Sequence, residues 1–468
     1  MKNFSIHQQN HFASVTFHEE LIKKYNQQAP RYTSYPTALE FSPISLNDSI
    51  EQHILKNRDS KRPLSLYIHI PFCRHLCYYC GCNKIITKKN SDSGDYLDYL
   101  FAEILHKKSF LTAPLQVKQV HLGGGTPTFL SDDELILLWQ FLKQHFDFVD
   151  DGDFSVEIDP RELRENTLTV LKNLGVNRLS FGVQDLEEKV QIAVNRVQPE
   201  HLIESVMTCA RQLGFKSINI DLIYGLPHQT VASMATTIQK IIALSPDRLS
   251  LFNYAHLPSR FTPQKRINEA DLPSPESKLT MFKNAITALN QANYQYIGID
   301  HFAKPSDEMA KAQRQGRLHR NFQGYTILGE CDLLGFGVSS ISQIGEHMLQ
   351  NPTSLGDYQE KIHAKILPAV KHVQASPKDA LRRDVIMNLL CHDVMDFADL
   401  NLRFGIDCQQ YFAEELQGLQ AMQDDGLLKI DKNGVQILPK GRILGRSIAM
   451  VFDEYLVKKH QNRFSRVI

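Results

Sequence analysis

Four cysteines lie within ten positions of this 468-residue chain: Cys73, Cys77, Cys80 and Cys82, in PFCRHLCYYCGCNK. Four thiolates could hold one zinc ion in tetrahedral geometry. Structural zinc sites, however, usually join two separated Cys-x2-Cys pairs, and no second pair is present here. An iron–sulfur cluster fits one compact loop better, because its irons are spread over a cube. Four cysteines packed in a core is a poorer interpretation, since the loop is rich in polar and aromatic residues.

The spacing of the first three cysteines indicates a catalytic cluster. Three ligands at Cys73, Cys77 and Cys80 leave one iron without a protein thiolate, and an open metal position is typical of catalytic rather than structural sites. The next strand-like run ends in GGGTPT, residues 123–128. Together these two features resemble the radical S-adenosylmethionine (SAM) superfamily. The resemblance implies that the open iron binds SAM, and glycine at the strand end would allow close backbone approach to it.

The elements that must position these residues alternate along the chain. Strand-like runs occur at 64–70, 118–125, 154–160, 178–184, 217–227, 248–255 and 294–300, with amphipathic segments such as 96–108 and 132–146 between most of them. The alternation predicts parallel βαβ units. Nearly every run ends in a polar, reactive or glycine residue. That distribution favours an α/β fold with a partial (β/α) TIM-like barrel of about six units over an open doubly wound sheet, which concentrates chemistry at one switch point.

Three regions are expected. Residues 1–55 form an N-terminal arm that includes APRYTSYPT, and 56–370 form the barrel domain. Residues 371–468 form a mainly helical, winged-helix-like accessory domain, with helices at 379–391, 407–426 and 442–456 and a hairpin turning at 432–434. A winged helix could read nucleic acid, but basic and acidic residues are mixed throughout this region. A packing role is therefore favoured.

Composition excludes several classes of protein. Lysine plus arginine and aspartate plus glutamate both number 52, so no basic excess indicates nucleic acid as a partner. The first residues lack the pattern of a signal peptide, and no apolar run is long enough to span a membrane. A cytoplasmic location is expected, where clustered cysteines point to a metal or redox site rather than to disulfides.

A series of motifs resembles the oxygen-independent coproporphyrinogen III oxidase family across the whole chain. After the cysteine loop they are HLGGGTPT, SVEIDPR, SFGVQD, NRVQ, NIDLIYGLP, NYAHLP, AQRQGRLHRNFQGYT and LGFGVSSIS. The related haem chaperones share the first three cysteines and the glycine turn. They usually have phenylalanine at the position of Cys82, a His-Asn-x-x-Tyr-Trp pattern in place of HRNFQGYT, and no arm with PRYTSYPT. These differences favour the oxidase; the alternative is a haem chaperone without oxidase activity.

The resemblance assigns roles by position. Cys73, Cys77 and Cys80 would ligate a [4Fe-4S] cluster, and Cys82 would not be a ligand. The residues expected to bind SAM, of which the family can hold two molecules, are Tyr67, Tyr79, Gly124, Gly125, Thr126, Glu157, Gln184, Arg196, Asp221, Ala255 and Ile341. Gln323 and Phe322 would lie near the reacting substrate. A carboxylate such as Asp221 suits ribose hydroxyls, and Arg196 suits the methionyl carboxylate.

The resemblance also implies the reaction. Two propionates of coproporphyrinogen III would become vinyl groups, giving protoporphyrinogen IX for haem biosynthesis, by means of a 5′-deoxyadenosyl radical made from SAM. The four substrate carboxylates need cationic partners; the candidates are Arg31, Arg314, Arg317, His319 and Arg320. The N-terminal arm is expected to cover the barrel mouth. A monomer is expected, served by a low-potential electron donor such as flavodoxin or ferredoxin.

Overall fold

The computed structural model describes residues 15–45 and 49–458, and its centre is a mixed sheet of 13 strands. The strands are β1 Ser42–Pro43, β2 Leu64–Ile70, β3 Phe72–Cys73, β4 Ile85–Ile86, β5 Gln116–Gly124, β6 Asp147–Ile158, β7 Arg178–Gln184, β8 Ser217–Tyr224, β9 Arg248–Asn253, β10 Gln295–Gly298, β11 His301–Ala303, β12 His319–Asn321, β13 Gly324–Thr326, β14 Asp332–Phe336, β15 Ile341–Ile344, β16 His347–Gln350, β17 Lys371–Gln374, β18 Val394–Asp396, β19 Leu428–Asp431 and β20 Gly434–Ile437.

The helices cover the sheet and build the C-terminal region. They are α1 Glu19–Tyr25, α2 Ile50–Lys56, α3 Ser91–Lys108, α4 Asp132–His145, α5 Thr167–Leu174, α6 Glu188–Ala193, α7 Glu200–Gln212, α8 Val231–Leu244, α9 Pro275–Gln291, α10 Glu308–Arg314, α11 Leu355–His363, α12 Pro377–His392, α13 Phe397–Phe404, α14 Cys408–Tyr411, α15 Ala413–Gly418, α16 Gln420–Asp424, α17 Gly445–Ala449 and α18 Glu454–Lys458. Among the described residues, none of these helices has the length and apolar character needed to cross a membrane.

Six neighbouring strands, β2, β5, β6, β7, β8 and β9, pair in parallel, and β14 joins β2 in parallel on the other side. The predicted α/β architecture with six parallel units is therefore present. The full order is β1-β17-β16-β15-β14-β2-β5-β6-β7-β8-β9-β11-β10. This order has two ends, so strand pairing within the described ranges does not close a barrel, and a partial barrel stays a prediction.

The apolar patterns explain these elements. The burial pattern of β2 is nearly continuous, as expected for a parallel strand covered on both faces. In α4, the apolar side chains at helical spacing, Leu135, Leu138, Trp139 and Leu142, are all buried. Ser131 caps this helix by accepting a hydrogen bond from the backbone N–H of Glu134.

The run at 294–300 departs from the predicted parallel pattern. It forms β10, which turns directly into β11, and β11 pairs with β9 in the antiparallel sense. The turn occupies only residues 299–300, whereas a parallel crossover needs a dozen or more residues. Parallel pairing therefore ends at β9 on this side of the sheet.

The N-terminal arm packs against the C-terminal region. Ala29, Tyr32 and Tyr35 are 1 %, 1 % and 0 % exposed and belong to the hydrophobic cluster built by α12 and the helices after it. The hydroxyl of Tyr32 donates a hydrogen bond to Oδ2 of Asp453 at 2.9 Å. The arm is thus part of a core, while its covering of the barrel mouth stays a prediction; residues 1–14 and 46–48 of the arm lie outside the described ranges.

The C-terminal region holds helices and a three-stranded antiparallel sheet of order β18-β20-β19. The predicted hairpin over 427–441 is confirmed as β19 and β20, which turn at 432–433. The single helix predicted over 407–426 was wrong: three short helices, α14 to α16, replace it. They are separated at Phe412 and Leu419, whose side chains are fully buried. The winged-helix interpretation stays a prediction.

Candidate active site

The end of β5 is hydrogen-bonded to the start of the cysteine loop. The backbone N–H of Gly125 donates to the carbonyl of Ile70 at 2.8 Å, and that of Thr126 donates to the carbonyl of Phe72 at 2.9 Å. Cys73 lies in the short strand β3 directly after Phe72. Residues 55 positions apart are therefore joined into one rigid unit at the carboxyl ends of β2 and β5.

The glycines in this unit allow the chain to approach itself. Gly124 has φ +119°, and a Cβ there would lie 2.8 Å from the ring of His69. A Cβ on Gly125 would lie 2.6 Å from the carbonyl oxygen of Pro71 and 2.7 Å from that of Phe72. Close approach to a ligand is the reason that the sequence suggests for these glycines. The contacts with the cysteine loop require them as well.

Every residue predicted to ligate the cluster, to bind SAM or to lie near the reacting substrate borders one of two adjoining cavities. The larger, of about 710 Å³, is lined by Cys73, Cys77, Tyr79, Cys80, Gly124, Gly125, Thr126, Glu157, Gln184, Arg196, Asp221 and Ala255. The smaller, of about 320 Å³, is lined by Tyr67, Gly124, Glu157, Phe322, Gln323 and Ile341. Cys82, Gly124 and Glu157 border both cavities. The structure brings these residues together, while their individual roles stay predictions.

The four thiols of the loop differ in their surroundings. Burial raises the pKa of Cys73 to about 12. The pKa of Cys80 is lowered to about 6, chiefly by a hydrogen bond from Cys82 and by the nearby ammonium of Lys84, although burial opposes ionisation. Within the described residues no three potential ligands are arranged to hold one metal ion. All four cysteines of the loop instead line the larger cavity.

Two arginines converge on Cys77, and only one of them, Arg196, was predicted from the sequence as a site residue. Nη2 of Arg161 and Nη1 of Arg196 each donate to Sγ of Cys77 at 3.5 Å. Both guanidinium groups also donate to Oδ2 of Asp159, at 2.6 Å and 3.0 Å. Cationic donors favour the thiolate form that an iron–sulfur cluster needs. Asp159 and Arg161 follow directly after β6, and this position at a strand end was the signal that could have identified them.

Arg161→Ala should weaken the site without removing a ligand. The loss of one hydrogen bond to Cys77 and of one partner of Asp159 should lower turnover by about 10- to 100-fold, the usual cost of removing a group that orients a metal ligand. Arg161→Lys should restore part of the activity, because it keeps the charge. Iron content and turnover of both variants, compared with exposed Arg317→Ala, provide the measurement. Unchanged turnover in Arg161→Ala would contradict the role.

Glu157 joins the two cavities through a polar network. Its Oε1 accepts from Nε2 of His121 at 3.1 Å, and its Oε2 accepts from the backbone N–H of Gly124 at 3.3 Å. Burial opposes ionisation, but the hydrogen bond and charge of His121 hold the pKa of this carboxyl below its usual range. The ring of Tyr67 stacks on the ring of His121, with 5.9 Å between the ring centres. The hydroxyl oxygen of Tyr67 lies 3.1 Å from Nδ1 of His69. Glu157 is therefore an ionised hydrogen-bond acceptor that borders both cavities.

Several buried polar atoms on the cavity walls have no hydrogen-bond partner among the described residues. They are Oε1 of Gln184, Oδ1 of Asn253 and both side-chain amide atoms of Gln323. Gln184 also has φ +69°, a left-handed conformation that is uncommon for a residue with a side chain. Buried polar groups are normally satisfied, so these atoms indicate that a polar ligand completes the site. The residues present thus fit a cluster held by three cysteines with a polar cofactor beside it.

Comparisons with known proteins identify the family of the chain. Residues 67–241 match the radical SAM superfamily, and residues 375–444 match the HemN C-terminal domain. The oxygen-independent coproporphyrinogen III oxidase of Escherichia coli strain K12 is 49% identical over 451 residues, with 96% of this chain and 98% of that protein covered. The chain belongs to the oxygen-independent coproporphyrinogen III oxidase family.

Other members of the oxygen-independent coproporphyrinogen III oxidase family match over similar lengths. The enzyme of Pseudomonas aeruginosa is 48% identical, with 97% of this chain and 99% of that protein covered. A solved structure of coproporphyrinogen III oxidase (HemN) from Escherichia coli, a radical SAM enzyme, has a TM-score of 0.90 and 46% identity. The match covers 95% of this chain and 100% of the Escherichia coli chain. Radical SAM enzymes use a [4Fe-4S] cluster and SAM, and these are the cofactors of this chain.

Proposed function

We propose that the protein converts two propionate side chains of coproporphyrinogen III into vinyl groups under anaerobic conditions, with release of carbon dioxide, to give protoporphyrinogen IX. The observation that carries the proposal is the meeting of two cavities at Gly124 and Glu157. One is bordered by the cysteine loop and the other by Gln323 and Phe322. A cofactor in the first cavity and a substrate side chain in the second would be in contact across this shared wall.

Cys73, Cys77 and Cys80 would hold the [4Fe-4S] cluster, and residues of the larger cavity would hold SAM. When bound, the cluster and SAM would supply one-electron radical chemistry able to remove a hydrogen atom from a propionate side chain. Conversion of that propionate into a vinyl group would release carbon dioxide and pass one further electron to a one-electron acceptor. The protein's own share is to bind and orient the two reactants and to keep water away from them.

Gln323 is suited to the substrate side of this arrangement. It lies in the two-residue turn between β12 and β13, and its backbone N–H donates to Oδ1 of Asn321 at 2.9 Å, which fixes the turn. Its side-chain amide is buried and has no partner in the described part of the chain. An amide of this kind can donate to a propionate carboxylate without adding charge.

The test is anaerobic turnover of the reconstituted protein with a reductant, SAM and coproporphyrinogen III. Protoporphyrinogen IX should form, with methionine and 5′-deoxyadenosine as products of SAM. Binding of haem without conversion of coproporphyrinogen III would favour the haem-chaperone alternative. The donor should be a low-potential carrier such as flavodoxin or ferredoxin. A cytoplasmic location is part of the proposal, because the unpaired thiols of the loop require reducing conditions.

Binding of SAM should weaken as the pH falls through about 6, if Asp221 accepts hydrogen bonds from its ribose. Burial and the charge of Glu157 raise the pKa of Asp221 to about 6, so the carboxyl is ionised above that pH and neutral below it. Loss of a charged acceptor costs about 1.5–3 kcal/mol, or roughly 10- to 100-fold in affinity. Equilibrium dialysis of SAM against the anaerobic holoprotein measures the effect. The pH range runs from about 5, where Asp221 is mostly neutral, to about 8, where it is ionised.

Asp221→Asn provides the matched control. It keeps the size of the side chain and should show weak SAM binding with no step near the pKa of Asp221. Because the folded-state pKa is raised, ionisation of Asp221 costs folding stability above about pH 6, and the cost disappears below the unfolded-state pKa. Asp221→Asn should therefore raise Tm at neutral pH. A pH profile of SAM binding that is identical in the two proteins would reject the role of Asp221.

A further inference from the structure

The cationic side chains that the sequence singled out for the substrate carboxylates fall into separate environments. Arg314 donates to Oε1 of Gln295 at 2.5 Å and to the carbonyl of Pro305 at 2.7 Å, so other parts of the chain occupy it. Arg317 is exposed and donates to Gln315. Arg320 differs from both, because it is only 8 % exposed.

The guanidinium of Arg320 has few partners for a buried cation. Its Nε donates to the carbonyl of Arg31 at 3.2 Å, and the group lies 4.7 Å from the ring centre of Tyr325. Nη1 has no hydrogen-bond partner, and no carboxylate pairs with Arg320 within residues 15–45 and 49–458. A buried charge without a counter-ion is strongly unfavourable unless a ligand supplies one.

The surroundings of Arg320 connect it to the cavities of the active site. Arg31, whose carbonyl it contacts, lines the larger cavity, and Tyr325 lines a further cavity of about 220 Å³. Gln323, Glu157 and Asp221 also border this further cavity. Arg320 and Gln323 lie on one hairpin, three residues apart. A group held at Arg320 would therefore be close to the predicted substrate-contacting amide.

Positive charge exceeds negative charge at this place. Arg31 pairs with Asp300 at 2.6 Å, and its guanidinium lies 5.5 Å from the ring centre of Phe252. That carboxylate is used by Arg31, which leaves the charge of Arg320 uncompensated among the described residues. His301 lies on the wall of the further cavity, and its buried Nδ1 has no hydrogen-bond partner among those residues either. Burial and the charge of Arg320 lower its pKa to about 3, so His301 is neutral and can donate one hydrogen bond.

We propose that Arg320, with Arg31 and His301, forms a binding site for one carboxylate of the substrate. The inference rests on the proposed function, in which that carboxylate belongs to a propionate of coproporphyrinogen III. The planar guanidinium can bind a carboxylate through two parallel hydrogen bonds, which fixes orientation as well as position. A propionate held here directs another side chain of the flexible tetrapyrrole toward Gln323 and the cofactor cavity.

The experiment compares wild type, Arg320→Gln, Arg320→Lys and the exposed control Arg317→Gln in anaerobic turnover. Arg320→Gln should raise KM for coproporphyrinogen III by about 10- to 100-fold, the loss expected for a charge-assisted hydrogen bond. Arg320→Lys, which keeps the charge but not the two parallel N–H donors of the guanidinium, should give an intermediate KM. Arg317→Gln should match wild type. Formation of 5′-deoxyadenosine from SAM without substrate checks that each variant binds its cofactors.

Thermal unfolding of the substrate-free proteins separates binding from a structural role. Removal of an uncompensated buried charge should leave Tm of Arg320→Gln at or above that of wild type, whereas a structural arginine would lower it on removal. A KM for Arg320→Gln within about twofold of wild type, no more than an exposed ion pair contributes, overturns the proposal. If Arg320→Gln does not fold, an unchanged KM in Arg320→Lys overturns it. Wild-type protein that makes no protoporphyrinogen IX is a different result, which rejects the proposed function itself.

Discussion

Replacing Cys77 by serine is expected to abolish both iron binding and turnover. Cys77 is 7 % exposed and receives hydrogen bonds from Arg161 and Arg196, so its sulfur is held in one position by two cations. A serine hydroxyl stays protonated near neutral pH and is a poor ligand for iron, which thiolates hold in iron–sulfur proteins. The two guanidinium groups would also lose their acceptor. Iron and sulfide analysis of anaerobically purified protein, together with visible absorbance and turnover, provides the measurement.

Two other cysteines serve as controls for Cys77. Cys209 lies on α7 and borders neither cavity, so Cys209→Ser should keep wild-type iron content and turnover. Cys82 borders both cavities but is not expected to be a ligand, so Cys82→Ser should keep its iron. Iron lost equally from Cys77→Ser and Cys82→Ser would mean that all four thiols bind metal. No iron would then be left open for SAM, and the proposed function would fail.

Much of this site could be predicted from the sequence because its residues lie at the ends of parallel strands. The predicted runs at 64–70 and 178–184 coincide with β2 and β7, and the carboxyl ends of parallel strands meet at one edge of a sheet. Chain order therefore suffices to bring Glu157 and Gln184 to the same edge of the sheet as the cysteine loop. No information about side-chain contacts is needed for that step.

The parts that sequence did not predict depend on contacts between distant segments. The pairing of β14 with β2 joins residues that are far apart in the chain. The pairing of β11 with β9 follows a reversal of the chain within two residues. The apolar pattern of a strand does not identify either partner. In the same way, the propionate candidates at Arg314, Arg317 and Arg320 looked equivalent in one basic segment. Burial and hydrogen-bond partners separate them, since Arg320 alone is buried, and Nη1 of Arg320 has no partner in the described part of the chain.

Gly125→Ala is the second substitution with a large expected effect, although it removes no functional group. The added Cβ would lie 2.6 Å from the carbonyl oxygen of Pro71 and 2.7 Å from that of Phe72, and both atoms belong to backbone that cannot rotate away. Either the hydrogen bond from Gly125 to Ile70 or the path of the cysteine loop must change. Because Cys73 follows Phe72 directly, we expect the variant to lose most of its iron and roughly 100-fold in turnover, the upper end of the cost of disturbing groups that orient metal ligands.

Gly356→Ala is the matched control for Gly125→Ala. Gly356 lies in α11, and the nearest atom to an added Cβ is Oγ of Ser354 at 3.8 Å, an ordinary contact. Alanine is favoured over glycine in a helix, so this variant should keep full activity and gain up to about 1 kcal/mol in stability. Far-ultraviolet circular dichroism of Gly125→Ala should remain close to that of wild type, because the clash is confined to one strand end. If Gly125→Ala binds iron and turns over normally, the contacts between the cysteine loop and the glycine turn do not determine the positions of the three predicted cysteine ligands.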